Sequence, residues 1–440
     1  MVSIEKSRST FNEQIARIYH DENAHLKMNS HYCKTFTFQI TEDCNLRCSY
    51  CYQINKSPNK MTLEIGKKIV DCIFKDNYKI DKYYSLDSMN GIILDFIGGE
   101  PLLEVDLIDK IMDYFVEQAY KYKSELAYKY RISISTNGTL YNEPKVQEFL
   151  KKWRDKLSLT ISLDGCKELH DACRVFPDGK GSYDKVVEAA KKELEINPYM
   201  DTKMTLAPSN LKYFLPAIKN LINLGYKQIF CNYVFEKGWT IEDARKGYKY
   251  IKEVADYLLS LKHLPHISFF DPSCGKYVEK ENDSNWCGGT GLMLAVNYAG
   301  NFYPCLRYME SSLGTSVPPY IIGNIYEGIM NSEDSCNKVD CLTCIKRSTQ
   351  STQECMDCPI NGGCSWCSAY NYQEFGTPNK RATYICDMHK ARVMGIVYFW
   401  NKIYRLNNSK HRIKLNLDDE SCLKIIDEKE LSLLRELERE

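Results

Sequence analysis

From about residue 35 the chain alternates short apolar runs with longer stretches in which apolar residues recur every three or four positions. FTFQIT (36–41) precedes a helix starting at Met61, and GIILDFIGG (91–99) precedes LIDKIMDYFVEQ. RISISTNG (131–138), LSLTISLDG (157–165), TKMTLAP (202–208) and KQIFCNYVF (227–235) are each followed by an amphipathic segment. Parallel strands need crossover connections, so six strand-then-helix units in a row predict a parallel sheet with helices outside it. The expected fold is α/β, a partial, open (β/α)6 barrel of the TIM-like kind. Ser182 is the expected N-cap of VVEAAKKELEI.

After about residue 262 the pattern changes to short strands, glycines and eleven cysteines between Cys274 and Cys386. This reads as a second, cysteine-rich domain held by metal more than by an apolar core. MHKARVMGIVYFWNKIYRL (388–406) follows as a helix with an apolar stripe, and the closing ELSLLRELERE reads as a charged helix or a frayed tail, the solvated tail being preferred. The expected organisation is an N-terminal segment (1–35), the barrel (36–240), a bridging helix and linker (241–285), the cysteine-rich domain (286–395) and a helical tail (396–440).

Charge and composition narrow the function. Lysine plus arginine and aspartate plus glutamate both number 58, so no net field favours nucleic acid or an anionic membrane. The opening MVSIEKSRSTFNEQ lacks the apolar core of a signal peptide, and no run reaches the ~18 apolar residues of a membrane span. A soluble, cytoplasmic protein is expected. Twenty cysteines in a reducing compartment point to metal, above all iron–sulfur, rather than disulfides.

TEDCNLRCSYCYQ (41–53) sits on the loop after the first predicted strand, where barrels of this kind gather their chemistry. Cys44, Cys48 and Cys51 can hold three corners of a [4Fe–4S] cube, leaving one iron open; a zinc loop shares parts of the spacing. Cys-x3-Cys-x-aromatic-Cys, with Tyr50 as the aromatic, resembles the signature of radical S-adenosylmethionine enzymes. The resemblance implies that the open iron chelates S-adenosylmethionine, whose cleavage yields methionine and a 5′-deoxyadenosyl radical. Gly98, Gly99 and Glu100 resemble that family's GGE segment, which meets the methionine amine. Ser135, Thr136 and Asn137 end the third strand, Ser162 and Asp164 end the fourth, and these offer partners for ribose and carboxylate. Arg174 fits the family's carboxylate-binding arginine. Turn capping or surface ion pairing is the plainer use of each.

The later cysteines resemble the SPASM extension of the same superfamily. Cys287, twelve residues, Gly300, four residues, Cys305 matches its opening, with a hairpin in VNYAGNFYPC. The resemblance implies two auxiliary [4Fe–4S] clusters, three clusters in all. Cys355, Cys358, Cys364 and Cys386 would hold one; Cys287, Cys305 and Cys367 would hold the other, completed by Cys274 or left open to a substrate thiolate. The family usually has three residues between its last paired cysteines, whereas Cys364 and Cys367 are separated by two. Cys336, Cys341 and Cys344 read as reduced bystanders, and Cys33, Cys72, Cys166, Cys173, Cys231 and Cys422 as buried small hydrophobes.

LRYMESS, STQECMDCPINGGCSWCSAYNYQ and RATYICDMHKAR resemble maturases of peptides with repeated Cys-x3 units, the ranthipeptide (freyrasin-type) thioether synthases. The implied partner is a ribosomally made, Cys-rich precursor peptide in which a cysteine sulfur is joined to a carbon of a nearby acceptor, aspartate among the candidates. Arg307 could neutralise an acidic acceptor, although a surface ion pair is its plainer use. A flavodoxin- or ferredoxin-type donor would supply electrons. Leader recognition is expected from a separate protein, an exposed strand edge or a compact N-terminal element, since about 35 residues before the first strand are too few for a winged helix. The alternatives are another SPASM maturase (formylglycine-generating, carbon–carbon cross-linking or epimerising) or a non-catalytic iron–sulfur carrier.

Overall fold

In β1 (Lys34–Thr41) the apolar residues Phe36, Phe38 and Ile40 alternate with Thr37, Gln39 and Thr41, and both sets are buried. That double burial is the mark of a central strand, and β1 is hydrogen-bonded on both sides. This computed structural model describes residues 33–439 apart from 87–90, 286, 315–316 and 330–332. Nearly all of the expected N-terminal segment lies outside the described residues.

The six expected strands form: β1, β2 (Ile92–Gly98), β3 (Tyr130–Thr136), β4 (Leu157–Ile161), β5 (Asp201–Leu206) and β6 (Gln228–Tyr233). Pairing within β1–β4 and between β5 and β6 is parallel throughout. The backbone ladder stops between β4 and β5, and side chains bridge the gap. Thr160 Oγ1 donates to Asp201 Oδ1 at 2.7 Å, and Thr202 Oγ1 donates to the Ile161 carbonyl at 3.0 Å. The helices between the strands are α1 (Leu63–Phe74), α2 (Val105–Lys121), α3 (Pro144–Trp153), α4 (Lys167–Cys173), α5 (Tyr183–Ile196) and α6 (Phe214–Leu224), with α7 (Ile241–Leu259) after β6.

Ser182 does occupy the N-cap position of α5, but its side chain does not cap. Its hydroxyl instead donates to the Arg174 carbonyl at 2.8 Å, and Asp171 Oδ1 accepts the Tyr183 N–H at 2.8 Å.

The cysteine-rich region continues the barrel sheet. A two-residue strand, β7 (His266–Ile267), pairs with β6, while β8 (Met293–Val296) pairs parallel with the free side of β1. The expected hairpin joins β8 to β9 (Asn301–Tyr303) antiparallel, with Gly300 at φ +85° in its turn. β10 (Gly323–Asn324) and β11 (Gly328–Ile329) extend it. The helix Cys386–Leu406 runs unbroken across residue 395 and lies on α7, where Gly395 allows close approach: a Cβ there would stand 2.2 Å from Ile251 Cγ2.

Two expectations are corrected. The C-terminal stretch is not a solvated tail: Glu428–Leu437 is a helix whose Leu431, Leu434 and Leu437 are buried and whose Glu430 accepts from Lys252 Nζ at 2.6 Å. The three leucines at i, i+3 and i+6 make a packing stripe that outweighs the flanking charges. Cys33 is exposed, whereas Cys72, Cys166, Cys173, Cys231 and Cys422 are buried. Among the described residues no helix is long and apolar enough to cross a membrane.

Candidate active site

The loop after β1 is pinned from two sides. Gly99 N–H donates to the Thr41 carbonyl at 3.1 Å and Glu100 N–H to the Asp43 carbonyl at 2.9 Å. On the other side, Arg47 and Ser49 N–H donate to the Val175 and Cys173 carbonyls at 2.7 and 2.9 Å. The glycine at 99 is required by this approach, since a Cβ would fall 2.2 Å from the Asp43 oxygen.

Cys44, Cys48 and Cys51 therefore face one another at the C-terminal mouth of the barrel. Burial pushes the Cys44 thiol up and that of Cys48 to about 11, and neighbouring thiolates push both the same way. Donors also reach the sulfurs: Leu46 N–H and Asn137 Nδ2 to Cys44 Sγ at 3.4 and 3.8 Å, and Lys56 Nζ to Cys51 Sγ at 3.6 Å. Clustered thiols ringed by donors suit a metal group that displaces their protons. Among the described residues no three His, Cys, Asp or Glu converge tightly enough to share a single ion; a cubane instead takes one thiolate at each of several corners.

Beside the loop, Glu100 is buried, with both carboxylate oxygens engaged by the chain: it accepts from Thr136 Oγ1 at 2.6 Å and from the N–H groups of Asn137 and Leu102 at 2.8 and 3.1 Å. Burial raises its pKa, and those bonds oppose the rise. It ties the ends of β2 and β3 together. Asp164, fully buried, accepts from Arg174 Nε at 2.7 Å, Thr205 N–H at 3.2 Å and the Tyr50 hydroxyl. The Arg174 guanidinium also lies 5.4 Å from the centre of the Tyr50 ring. Ser135 is exposed and Ser162 half-buried at the same mouth.

A bond chain that the sequence did not suggest holds Arg174 in place. Asp164 N–H donates to His170 Nδ1 at 3.3 Å, His170 Nε2 meets Ser182 Oγ at 3.0 Å, and Ser182 holds the Arg174 carbonyl. The consistent tautomer carries its proton on Nε2. Burial, and next the Arg174 charge, lower the His170 pKa to about 4. Between about pH 6.5 and 4 the unfolded chain then binds a proton that the folded one refuses, so stability falls as pH falls, by up to about 3 kcal/mol for this group. Urea midpoints of the reconstituted protein from pH 7 down to 5 should drop, and His170→Gln should flatten the slope. Some slope persists, because His389 is lowered to about 4 by the same cause, burial.

The later cysteines form two groups. Burial pushes the thiols of Cys305 and Cys367 up, and the Cys287 sulfur is close enough to push both the same way. A Cβ on Gly289 would stand 3.6 and 3.7 Å from the sulfurs of Cys287 and Cys305. The buried Tyr308 beside them has a hydroxyl without a hydrogen-bond partner among the described residues. Cys355, Cys358, Cys364 and Cys386 line one cavity of about 490 Å³ together with Arg381 and Lys390. Cys274 is buried against this second group: a Cβ on Gly363 would meet its sulfur at 3.0 Å, and its charge acts on Cys364. Cys341 and Cys344 lie near each other, half-buried and exposed, and the Cys336 side chain is outside the described residues.

Arg307 joins the two ends of the site. It pairs with Glu236 at 2.5 Å, lies 5.3 Å from the centre of the Tyr52 ring and feels the Cys367 thiol. Tyr52 directly follows Cys51, so a single stacked pair spans from the first cysteine loop to the Cys287, Cys305 and Cys367 group. Position alone, next to a motif cysteine, could have flagged Tyr52.

Residues 38–206 match the model of the Radical SAM superfamily. The chain is similar to the uncharacterized protein MJ0907 of Methanocaldococcus jannaschii, 28% identical over 62% of this chain and 84% of that one. It is also similar to the antilisterial bacteriocin subtilosin biosynthesis protein AlbA of Bacillus subtilis, 26% identical over 75% of this chain and 66% of that one. Among solved structures, native anSMEcpe with bound AdoMet and Cp18Cys peptide matches with a TM-score of 0.62 at 19% identity, covering 86% of this chain and 99% of that one. The fold is thus the α/β radical SAM fold with a cysteine-rich C-terminal region.

Proposed function

We propose that this chain is a radical S-adenosylmethionine enzyme that matures a ribosomally made, Cys-rich peptide by joining a cysteine sulfur to a carbon of a nearby residue. The observation that carries the reading is the continuity from the Cys44, Cys48 and Cys51 loop through Tyr52 and Arg307 to Cys305 and Cys367. A fold shared with a structure that holds AdoMet and a peptide supports it, as does similarity to a protein of bacteriocin biosynthesis.

When bound, the clusters and S-adenosylmethionine supply a hydrogen-abstracting 5′-deoxyadenosyl radical and a sink for the electron released as the thioether forms. Cys44, Cys48 and Cys51 would hold the first cluster. Cys355, Cys358, Cys364 and Cys386 would hold one auxiliary cluster, and Cys287, Cys305 and Cys367 the other. Cys274, packed on Gly363, is remote from the role of completing the three-cysteine group, which favours a position there for a substrate thiolate.

The protein's own work is placement. Asp164 and Tyr50 fix Arg174, whose charge offers a seat for the methionine carboxylate. Glu100 fixes the strand ends that carry Gly98, Gly99 and Asn137. The barrel wall keeps water from the C–H bond to be broken.

The test is anaerobic reconstitution followed by incubation with S-adenosylmethionine, reductant and a Cys-x3 peptide. About twelve irons per chain are expected for three cubanes. The product should have lost two hydrogens and one titratable thiol; an unchanged mass with inverted stereochemistry would assign an epimerase, and loss of cysteine sulfur a formylglycine-type maturase. Cys358→Ala should remove about four irons and the peptide product while 5′-deoxyadenosine still forms. Product formation at the wild-type rate would leave the second group without a role in the chemistry.

A further inference from the structure

Tyr308 stands among tyrosines at the Cys287, Cys305 and Cys367 group whose hydroxyls are engaged. Tyr83 donates to the Gly289 carbonyl at 2.9 Å and accepts the Gly291 N–H at 3.1 Å, which pins the turn after Cys287. Tyr320 donates to the Lys338 carbonyl at 3.1 Å, and Tyr372 to the Pro318 carbonyl at 2.9 Å. Tyr308 differs from all three. It is fully buried, and its hydroxyl has no hydrogen-bond partner among the described residues. A buried hydroxyl left unpaired costs its full desolvation, so this one calls for an acceptor that the chain itself does not supply.

The ring meets the cysteines at its hydroxyl end. The position that a Cβ on Gly289 would take lies 3.6 Å from Cys287 Sγ, 3.7 Å from Cys305 Sγ and 3.7 Å from Tyr308 Cε2, the ring carbon next to the one that bears the hydroxyl. Two sulfurs and the ring edge thus border a single point. The tyrosine is held there by backbone and ring contacts. Its N–H donates to the Cys305 carbonyl and its carbonyl accepts the Tyr320 N–H, both at 3.1 Å, while the Tyr320 and Tyr372 ring centroids lie 5.1 and 5.9 Å from its own. A phenol keeps its proton at neutral pH, so it offers a donor. Burial, and next the Cys305, Cys287 and Cys367 sulfurs, push its pKa further up. The acceptors that fit are the anionic sulfurs of a cluster held by these three cysteines.

We propose that the Tyr308 hydroxyl donates a hydrogen bond to a sulfur of the iron–sulfur cluster held by Cys287, Cys305 and Cys367 and so raises that cluster's reduction potential. This rests on the peptide-maturase reading above, which places a cluster there. A hydrogen bond to sulfur favours the reduced, more negative cluster over the oxidised one. Tyr308 is then a positioning residue that biases the cluster toward taking up the electron released as the thioether forms.

The experiment is a potentiometric titration of the reconstituted holoenzyme followed by electron paramagnetic resonance, in which this cluster's component is the one that Cys305→Ala removes. Tyr308→Phe keeps the ring and deletes only the donor. Reduction of that component should become about tenfold less favourable, a midpoint lower by about 59 mV for one electron, while the other components stay where they are and the iron content is unchanged. An unmoved midpoint overturns the inference and leaves the maturase reading intact. An equal shift of every component, or the loss of about four irons in Tyr308→Phe, also overturns it, because the residue would then be structural. So does a shift seen only when a Cys-x3 peptide is present, which would assign the hydroxyl to a substrate thiolate. If the wild type has no component that Cys305→Ala removes, the cluster is missing, and the ligand set of the maturase reading falls together with the inference.

Discussion

Cys48→Ala should lower 5′-deoxyadenosine formation by more than about a hundredfold, with peptide present or absent. Replacing even the partners of metal ligands costs 10- to 100-fold, and here a ligand position itself is lost from a set of three. Cys48 is the half-buried member of the loop beside Arg174, and its neighbours Arg47 and Ser49 hold the loop to Val175 and Cys173. The backbone clamp does not involve the sulfur, so the variant should fold. Iron counting then separates the sites: about four irons should go and about eight should stay. Deoxyadenosine at the wild-type rate would remove the loop from the reaction.

Asp164→Asn should have the largest effect on stability. The carboxylate is fully buried and is the counterion of a guanidinium that is itself 9% exposed. An amide keeps the shape but not the charge, and leaves Arg174 as an uncompensated buried cation, at about 3–5 kcal/mol. The Tyr50 hydroxyl and the Thr205 N–H would compete for one remaining acceptor oxygen. The denaturation midpoint should fall accordingly, and S-adenosylmethionine affinity with it, because Arg174 loses its fixed orientation. A destabilisation below about 1 kcal/mol, the ordinary size for a point change, would mean that water already screens the pair.

Much of the barrel was legible because it rests on local rules. Period-two alternation and the intervening amphipathic stretches located all six strands, and the glycines at 98 and 99 prove to sit against the Thr41 and Asp43 backbones. What escaped was decided by tertiary contact. Ser182 looked like a cap, but His170, twelve residues earlier, together with the Arg174 carbonyl, claims its hydroxyl. Spacing offered Cys274 only as a fourth member of the Cys287, Cys305 and Cys367 group; the packing of its loop on Gly363 puts it beside Cys364. The Leu431, Leu434 and Leu437 stripe lies in a helix with five charged residues, and the groove that buries it exists only in the fold.

The claim beneath all of this is that Cys44, Cys48 and Cys51 hold a cluster with one iron left for S-adenosylmethionine. Electron–nuclear double resonance on the reduced, reconstituted protein tests it directly, using S-adenosylmethionine labelled with ¹⁵N at the amine and a variant lacking Cys358 and Cys305 to isolate the first cluster. A ¹⁵N coupling that vanishes in Cys48→Ala is the predicted result. A cluster signal unmoved by the labelled nucleotide, or zinc in place of iron on that loop, would contradict the account.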